Sequence, residues 1–171
     1  MSTAQRLNTR IFLNLVRHPL KYRLYLLTRL PSAFFSGLRV VTASEDACTV
    51  SIPCKWFTKN PFRSTYFACL SMAAEMSTGI LAMASVYRHN PPVSMLVTHM
   101  KAEFLKKATT PTHFSCTDGP AIKEAIRQSI DTGESRTIVA RSIGKNTAGE
   151  TVAQFDITWS FKVKGDIKGT S

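Results

Sequence analysis

A chain of 171 residues with 44% hydrophobic residues can enclose one sizeable core, which excludes the short disulfide-dependent scaffolds and the disordered, charge-rich chains. The net charge is +11, a balance that attracts phosphate-bearing partners, yet no helix-turn-helix, zinc-finger or aromatic RNA-binding motif accompanies it, so nucleic acid is not an expected partner. Cys48, Cys54, Cys69 and Cys116 show neither CxxC nor histidine-rich spacing and read as reduced thiols of a cytoplasmic protein, and the N-terminus lacks the uninterrupted apolar stretch of a signal peptide.

Residues 9–30 mix apolar and basic side chains at helical spacing, interrupted at Pro19 and ended by Pro31. Leu13, Val16, Leu20, Leu24 and Leu27 can share one face, flanked by Arg10, Arg17, Lys21 and Arg23. Such a segment either packs on its own domain or lies on a membrane surface. A strand is predicted over residues 38–43, and a second follows with Cys48, Val50, Ile52, Cys54 and Trp56 alternating onto one face, Pro53 marking an edge or bulge. Residues 58–62 form a loop. Residues 64–87 form a long helix stopped by His89-Asn90-Pro91-Pro92. A long strand, with room for a bulge, covers residues 93–107, and a short one covers 112–116. Asp118 is the expected cap of a helix from Pro120 to about Ile130, with Pro120 in its first turn. Strands follow over residues 136–145 and about 153–163, the last alternating Ala153, Phe155, Ile157, Trp159, Phe161 and Val163 against polar partners. The expected organisation is one α+β domain: an N-terminal helical segment (1–36), a core (37–164) and a loose tail (165–171), with an antiparallel sheet wrapping the long helix.

That long helix carries the most specific signal. From Ser64 to Tyr87 its only ionisable carboxylate is Glu75, with Arg63 and Arg88 at its borders. The length suits a bilayer span, but Ala, Ser, Thr and Met predominate over Leu, Ile and Phe, and a central acid opposes insertion. A core helix fits better. Its acid must then be paired, neutralised or used. The other known site motifs are missing: there is no phosphate loop, nucleophile elbow, zincin or calcium loop, and His18, His89, His99 and His113 are scattered.

Several stretches together resemble the hotdog-fold superfamily, and within it a branch described as a domain of unknown function. They are Tyr22-Arg23-Leu24, Leu30-Pro31-Ser32-Ala33-Phe34-Phe35, Asn60-Pro61-Phe62-Arg63-Ser64, Met72-Ala73-Ala74-Glu75, Pro92-Val93-Ser94-Met95 and Glu103-Phe104-Leu105-Lys106-Lys107-Ala108. The resemblance implies a thioesterase related to those of phenylacetate pathways, which place an Asn in the loop and an acid on the helix at the interval that separates Asn60 from Glu75. It implies hydrolysis of an acyl thioester with Glu75 as general base or nucleophile, Asn60 on the carbonyl or the water, and Ser94 as the strand hydroxyl. The N–H of Phe67 would be the oxyanion donor, and Arg63, Lys106 and Lys107 would hold coenzyme A phosphates. Coenzyme A enters as part of the substrate, and no further cofactor is implied. Active relatives carry His-Gly-Gly before the helix, where this chain has Tyr66-Phe67-Ala68.

Three functions stay open on this reading. One is an acyl-CoA or acyl-carrier thioesterase, another a non-catalytic acyl-thioester or lipid binder, and the third a membrane-surface protein held by the basic N-terminal segment. The superfamily pairs through its sheets, so a homodimer or homotetramer is implied.

Overall fold

The structure is a computed structural model that describes residues 2–164; the tail expected to be loose lies outside them. Three helices lead the chain: α1 (Thr3–Arg17), α2 (Pro19–Arg29) and α3 (Pro31–Ser36). Pro19 and Pro31 each open a helix, because a proline lacks only the N–H that a first turn leaves unpaired anyway. Pro31 therefore starts α3 where the sequence suggested an end. His18, in extended conformation between α1 and α2, breaks the continuous apolar face expected across residues 13–27. Leu13 and Val16 enter the core. On α2 it is Tyr22 and Leu26 that are buried, while Leu20, Leu24 and Leu27 face outward.

Six strands follow as β1 (Arg39–Ala43), β2 (Cys48–Ile52), β3 (Val93–Phe104), β4 (Thr112–Cys116), β5 (Arg136–Lys145) and β6 (Thr151–Val163). They form one antiparallel sheet in the order β1-β2-β4-β5-β6-β3. β2 stops at Ile52, short of the predicted alternation, because Pro53 cannot donate to a ladder. Trp56 then falls in a 3₁₀ turn (Trp56–Thr58) and is 89% exposed. β3 keeps its ladder with β6 through a register shift between Val97 and His99, the expected bulge.

Helix α4 (Phe67–Val86) runs across the sheet and contacts β2 to β6. It is long and apolar enough to cross a membrane, but most of it is buried in the protein, as its composition suggested. Its small residues admit the sheet closely: Ala73, Ala74 and Ala82 are fully buried, and the Ser77 and Ser142 hydroxyls pair at 2.8 Å. From the sheet, Phe114, Phe155, Ile157 and Phe161 pack inward without exposure, each contributing about 1.5–3 kcal/mol by leaving water. Gly144 has no side chain because a Cβ there would stand 2.4 Å from the Phe114 ring.

Helix α5 (Gly119–Thr132) packs beside α4 on β5 and β6. Asp118 holds the N-cap position without capping: its carboxylate instead accepts the backbone N–H of Arg141 at 2.6 Å. All four cysteines are free thiols. Cys48 and Cys116 face each other across β2 and β4, and burial pushes both thiols up to about 12, so they stay protonated core groups. Cys54 is only half-buried.

Candidate functional site

Two cavities along α4 hold the candidate site residues, one at its N-terminus and one at its middle. The first, of about 540 Å³, lies between the loop before α4 and the end of β3. Asn60 builds its rim. The Asn60 Oδ1 accepts the backbone N–H groups of Phe62 (3.0 Å) and Ser64 (3.2 Å) and the Ser64 hydroxyl (3.2 Å). Arg63, at φ 60°, completes this tight turn. The loop is tied to the strand segment beyond β3 by Thr65, whose N–H and hydroxyl both reach the Ala108 carbonyl. Asn60 is therefore a scaffold residue of the loop, and its Nδ2 has no partner among the described residues.

The apolar wall of this cavity comes from Phe62, Tyr66, Phe67, Leu70, Phe104 and Leu105. Phe67 meets Tyr66 and Phe104 edge-on, at 4.7 and 6.4 Å between centroids. Tyr66 is the N-cap of α4 and makes no side-chain cap, and the Phe67 N–H has no acceptor among the described residues. A helix N-terminus with free N–H groups is a natural seat for negative charge. Lys106 and Lys107 line the same cavity; Lys106 is paired with Glu150. Arg63 is exposed beside it but does not line it.

Glu75 lies elsewhere. From Phe67 it is about 12 Å further along the helix at 1.5 Å per residue. It lines a smaller cavity of about 190 Å³ between α4, α2 and β3, with Tyr22, Tyr25, Arg29, Gly79 and Met95. The carboxylate has no hydrogen-bond donor among the described residues. The Thr78 hydroxyl donates to the Glu75 backbone carbonyl and accepts the Trp159 Nε1–H at 2.9 Å, so the local hydroxyls do not satisfy the acid. Burial raises the Glu75 pKa above the ordinary carboxylate value. Burial likewise raises that of Tyr22, with smaller contributions from Cys48, Tyr25 and Glu75. Ser94 sits on β3 next to Met95, and because side chains alternate along a strand it points away from this cavity. Its hydroxyl donates to the Lys162 carbonyl at 2.9 Å.

One chain thus gathers Asn60, Phe67, Lys106 and Lys107 at the first cavity and Glu75 at the second. Tyr22, Tyr25 and Arg29 join Glu75 from α2, and no local pattern in the sequence marks them as its neighbours. Gly79 had a signal: it stands one helical turn after the acid, and a Cβ there would come within 3.0 Å of the Glu75 Oε1. Among the described residues no group of acidic, histidine and cysteine side chains is arranged to hold a metal ion.

A sheet wrapped around a long central helix is the hotdog architecture, and several solved structures share it. PA5026 of Pseudomonas aeruginosa superposes with a TM-score of 0.73 at 18% identity, over 85% of this chain and 97% of its own. The thioesterase HI1161 of Haemophilus influenzae gives 0.64 at 13%, over 84% and 92%. PaaI from the phenylacetic acid degradation operon of E. coli gives 0.58 at 14%, over 82% and 90%. The protein has the hotdog fold. Residues 27–161 match the domain of unknown function DUF4442, and the chain belongs to that family. No curated protein sequence matches it.

Proposed function

We propose that the protein hydrolyses an acyl thioester of coenzyme A or an acyl carrier at a site shared by two subunits. The observation that carries this reading is Glu75: a carboxylate on a core helix, without a hydrogen-bond donor among the described residues, facing a cavity, with its pKa raised by burial. Such a group is suited to take a proton from water near neutral pH. The Phe67 N–H would stabilise the oxyanion, the free amide of Asn60 would orient the carbonyl, and Lys106 and Lys107, with Arg63 nearby, would meet the carrier's phosphates.

The two cavities are brought together by pairing. β3 is an edge strand, exposed along most of its length, with Leu96 65% and Phe104 51% exposed. Such an edge is a template for another strand. If two copies pair antiparallel through β3, the Phe104 end of one lies beside the Met95 end of the other. The N-terminal cavity of one subunit then adjoins the Glu75 cavity of its partner. A homodimer, alone or within a homotetramer, follows as part of the proposal. Thiol release from a panel of acyl-CoA substrates, for the protein and for Glu75→Gln, tests it: turnover by the former and none by the folded variant is expected.

Phe67 favours a second reading, a non-catalytic acyl-thioester binder, because its ring, set edge-on to Tyr66, occupies the mouth of the first cavity where the resembled pattern has Gly. Tight binding of the same acyl-CoA panel without thiol release would select it.

A further inference from the structure

The cations at the start of the chain are segregated from its acids. The first 44 residues contain seven Lys and Arg and no Asp or Glu. Every side-chain ion pair among the described residues lies elsewhere in the fold, and none uses Lys21, Arg23, Arg39, Lys55 or Lys59. These five side chains are exposed. The same face carries several large exposed apolar side chains. On α2, Leu20 and Leu24 are 75% and 62% exposed and Leu27 40%. At 100° per residue these three lie within one narrow stripe opposite the buried Tyr22 and Leu26, with Lys21 and Arg23 on its two flanks. A second group projects from α3 and the 3₁₀ turn: Phe35, Phe57 and Trp56. The groups are continuous, because the Arg23 guanidinium stacks on Phe34 at 4.3 Å, Phe34 meets Phe35 at 5.3 Å, and Phe35 lies 6.4 Å from Phe57, itself 6.4 Å from Trp56.

We infer that this face, formed by α2, α3 and the 3₁₀ turn, docks the protein on an anionic phospholipid bilayer. Leucine and aromatic side chains that project singly among cations match the interfacial layer, where Trp, Phe and Leu enter the acyl boundary while Lys and Arg meet the headgroup phosphates. A second copy of the chain is a poor occupant, because isologous contact would set cation against cation with no acid to answer it. A soluble polyanion would engage the cations and leave the leucine stripe in water. Docking does not require that Glu75 hydrolyse anything.

Trp56 supplies the readout. The chain has two tryptophans, one 89% exposed on this face and the other, Trp159, 4% exposed in the core. The full chain is titrated with vesicles of phosphatidylcholine, with and without 30 mol% phosphatidylserine, at physiological salt. Co-sedimentation and a blue shift of Trp56 emission are expected with the anionic vesicles only, and Trp56→Phe should abolish the shift while the Trp159 signal persists. Leu20→Asp with Leu24→Asp, and separately Lys21→Glu with Arg23→Glu, should each weaken partitioning about tenfold or more. These positions are exposed, so an unchanged circular dichroism spectrum and melting temperature are expected. No sedimentation and no shift would overturn the proposal. So would binding unaffected by the leucine variants, or heparin binding that competes fully while Trp56 emission stays unshifted, which would indicate a polyanion site.

Discussion

Replacing Gly79 by Ala separates what Glu75 does for folding from what it does for chemistry. The added Cβ would stand 3.0 Å from the Glu75 Oε1 and 3.4 Å from the Trp159 ring. The indole is held: it is buried, and its Nε1–H donates to Thr78. The carboxylate has no hydrogen-bond partner among the described residues and is the end that gives way. Ala is favoured over Gly inside a helix by about 1 kcal/mol, and moving a side chain off its rotamer costs about 0.5–1.5 kcal/mol. The two nearly cancel, so thermal melting should shift by no more than a few degrees. The carboxylate has to give way by a few tenths of an ångström; a full displacement of about 1 Å costs on the order of 100-fold in rate, so a smaller, several-fold loss of kcat is expected. The measurement is thiol release from acyl-CoA alongside a thermal melt of the same preparation. A stable variant with undiminished kcat would refute the assignment of Glu75 as base, and a melting temperature lowered by ten degrees or more would show that Gly79 serves packing against Trp159.

Three further outcomes follow from the same geometry. Asn60→Asp keeps the Oδ acceptor that holds Phe62 and Ser64 but removes the free amide, so the fold should survive while turnover falls. Asn60→Ala removes the clamp as well and should cost about 1–3 kcal/mol of stability; equal turnover by the wild type and Asn60→Asp would leave Asn60 a scaffold only. Because the Glu75 pKa is raised in the folded state, its stabilising contribution is complete below the unfolded value near pH 4 and is lost as pH rises through the folded value. Glu75→Gln should therefore match the wild type in urea denaturation at acid pH and exceed it at pH 8, and parallel pH profiles would contradict the desolvation argument. Leu96→Glu, on the exposed edge of β3, should yield monomers in sedimentation and abolish turnover together; a fully active monomer would eliminate the shared site.

The regular strands were legible because their side chains obey a period of two. β4 and β5 fall where the pattern put them, and the alternation in β6 from Ala153 to Phe161 is the alternation of its buried face. Where the pattern was carried through a proline it misled. Trp56 continued the rhythm of β2 on paper, yet Pro53 ended the ladder and put Trp56 in solvent. The apolar stripe of residues 13–27 failed likewise, because one extended residue, His18, reset the rotation of α2. For the candidate site, Glu75 was visible as a lone carboxylate in an uncharged run. Its neighbours Tyr22, Tyr25 and Arg29 were not, since contacts over some fifty positions leave no local pattern. The dual position of Asn60, holding its own loop through its Oδ1 while lining a cavity, is a matter of hydrogen-bond directions that residue identity does not contain.

The Tyr66-Phe67-Ala68 triplet tells where this chain parts from the active-site pattern of its superfamily, and the backbone narrows the reason. Tyr66 has φ −61° and ψ 136°, ordinary for any residue, and Phe67 begins α4 in helical conformation. Neither position lies in the left-handed region that demands glycine, and the backbone therefore directs the Phe67 N–H as it would a glycine N–H. What the substitution changes is room, because the Tyr66 and Phe67 rings meet edge-on at the groove mouth and Phe67 continues edge-on onto Phe104. Phe67→Gly would remove one wall of that groove. The ring is 55% exposed, so the loss of one edge-on contact and of side-chain burial should cost only about 1–2 kcal/mol. If the rings limit access to the N–H, the variant should hydrolyse bulkier acyl-CoA substrates faster, with kcat/KM rising at least tenfold while Glu75→Gln in the same background stays inactive. A Phe67→Gly protein that remains folded, binds acyl-CoA as before and gains no turnover would mean that crowding at the helix N-terminus does not set the activity of this fold.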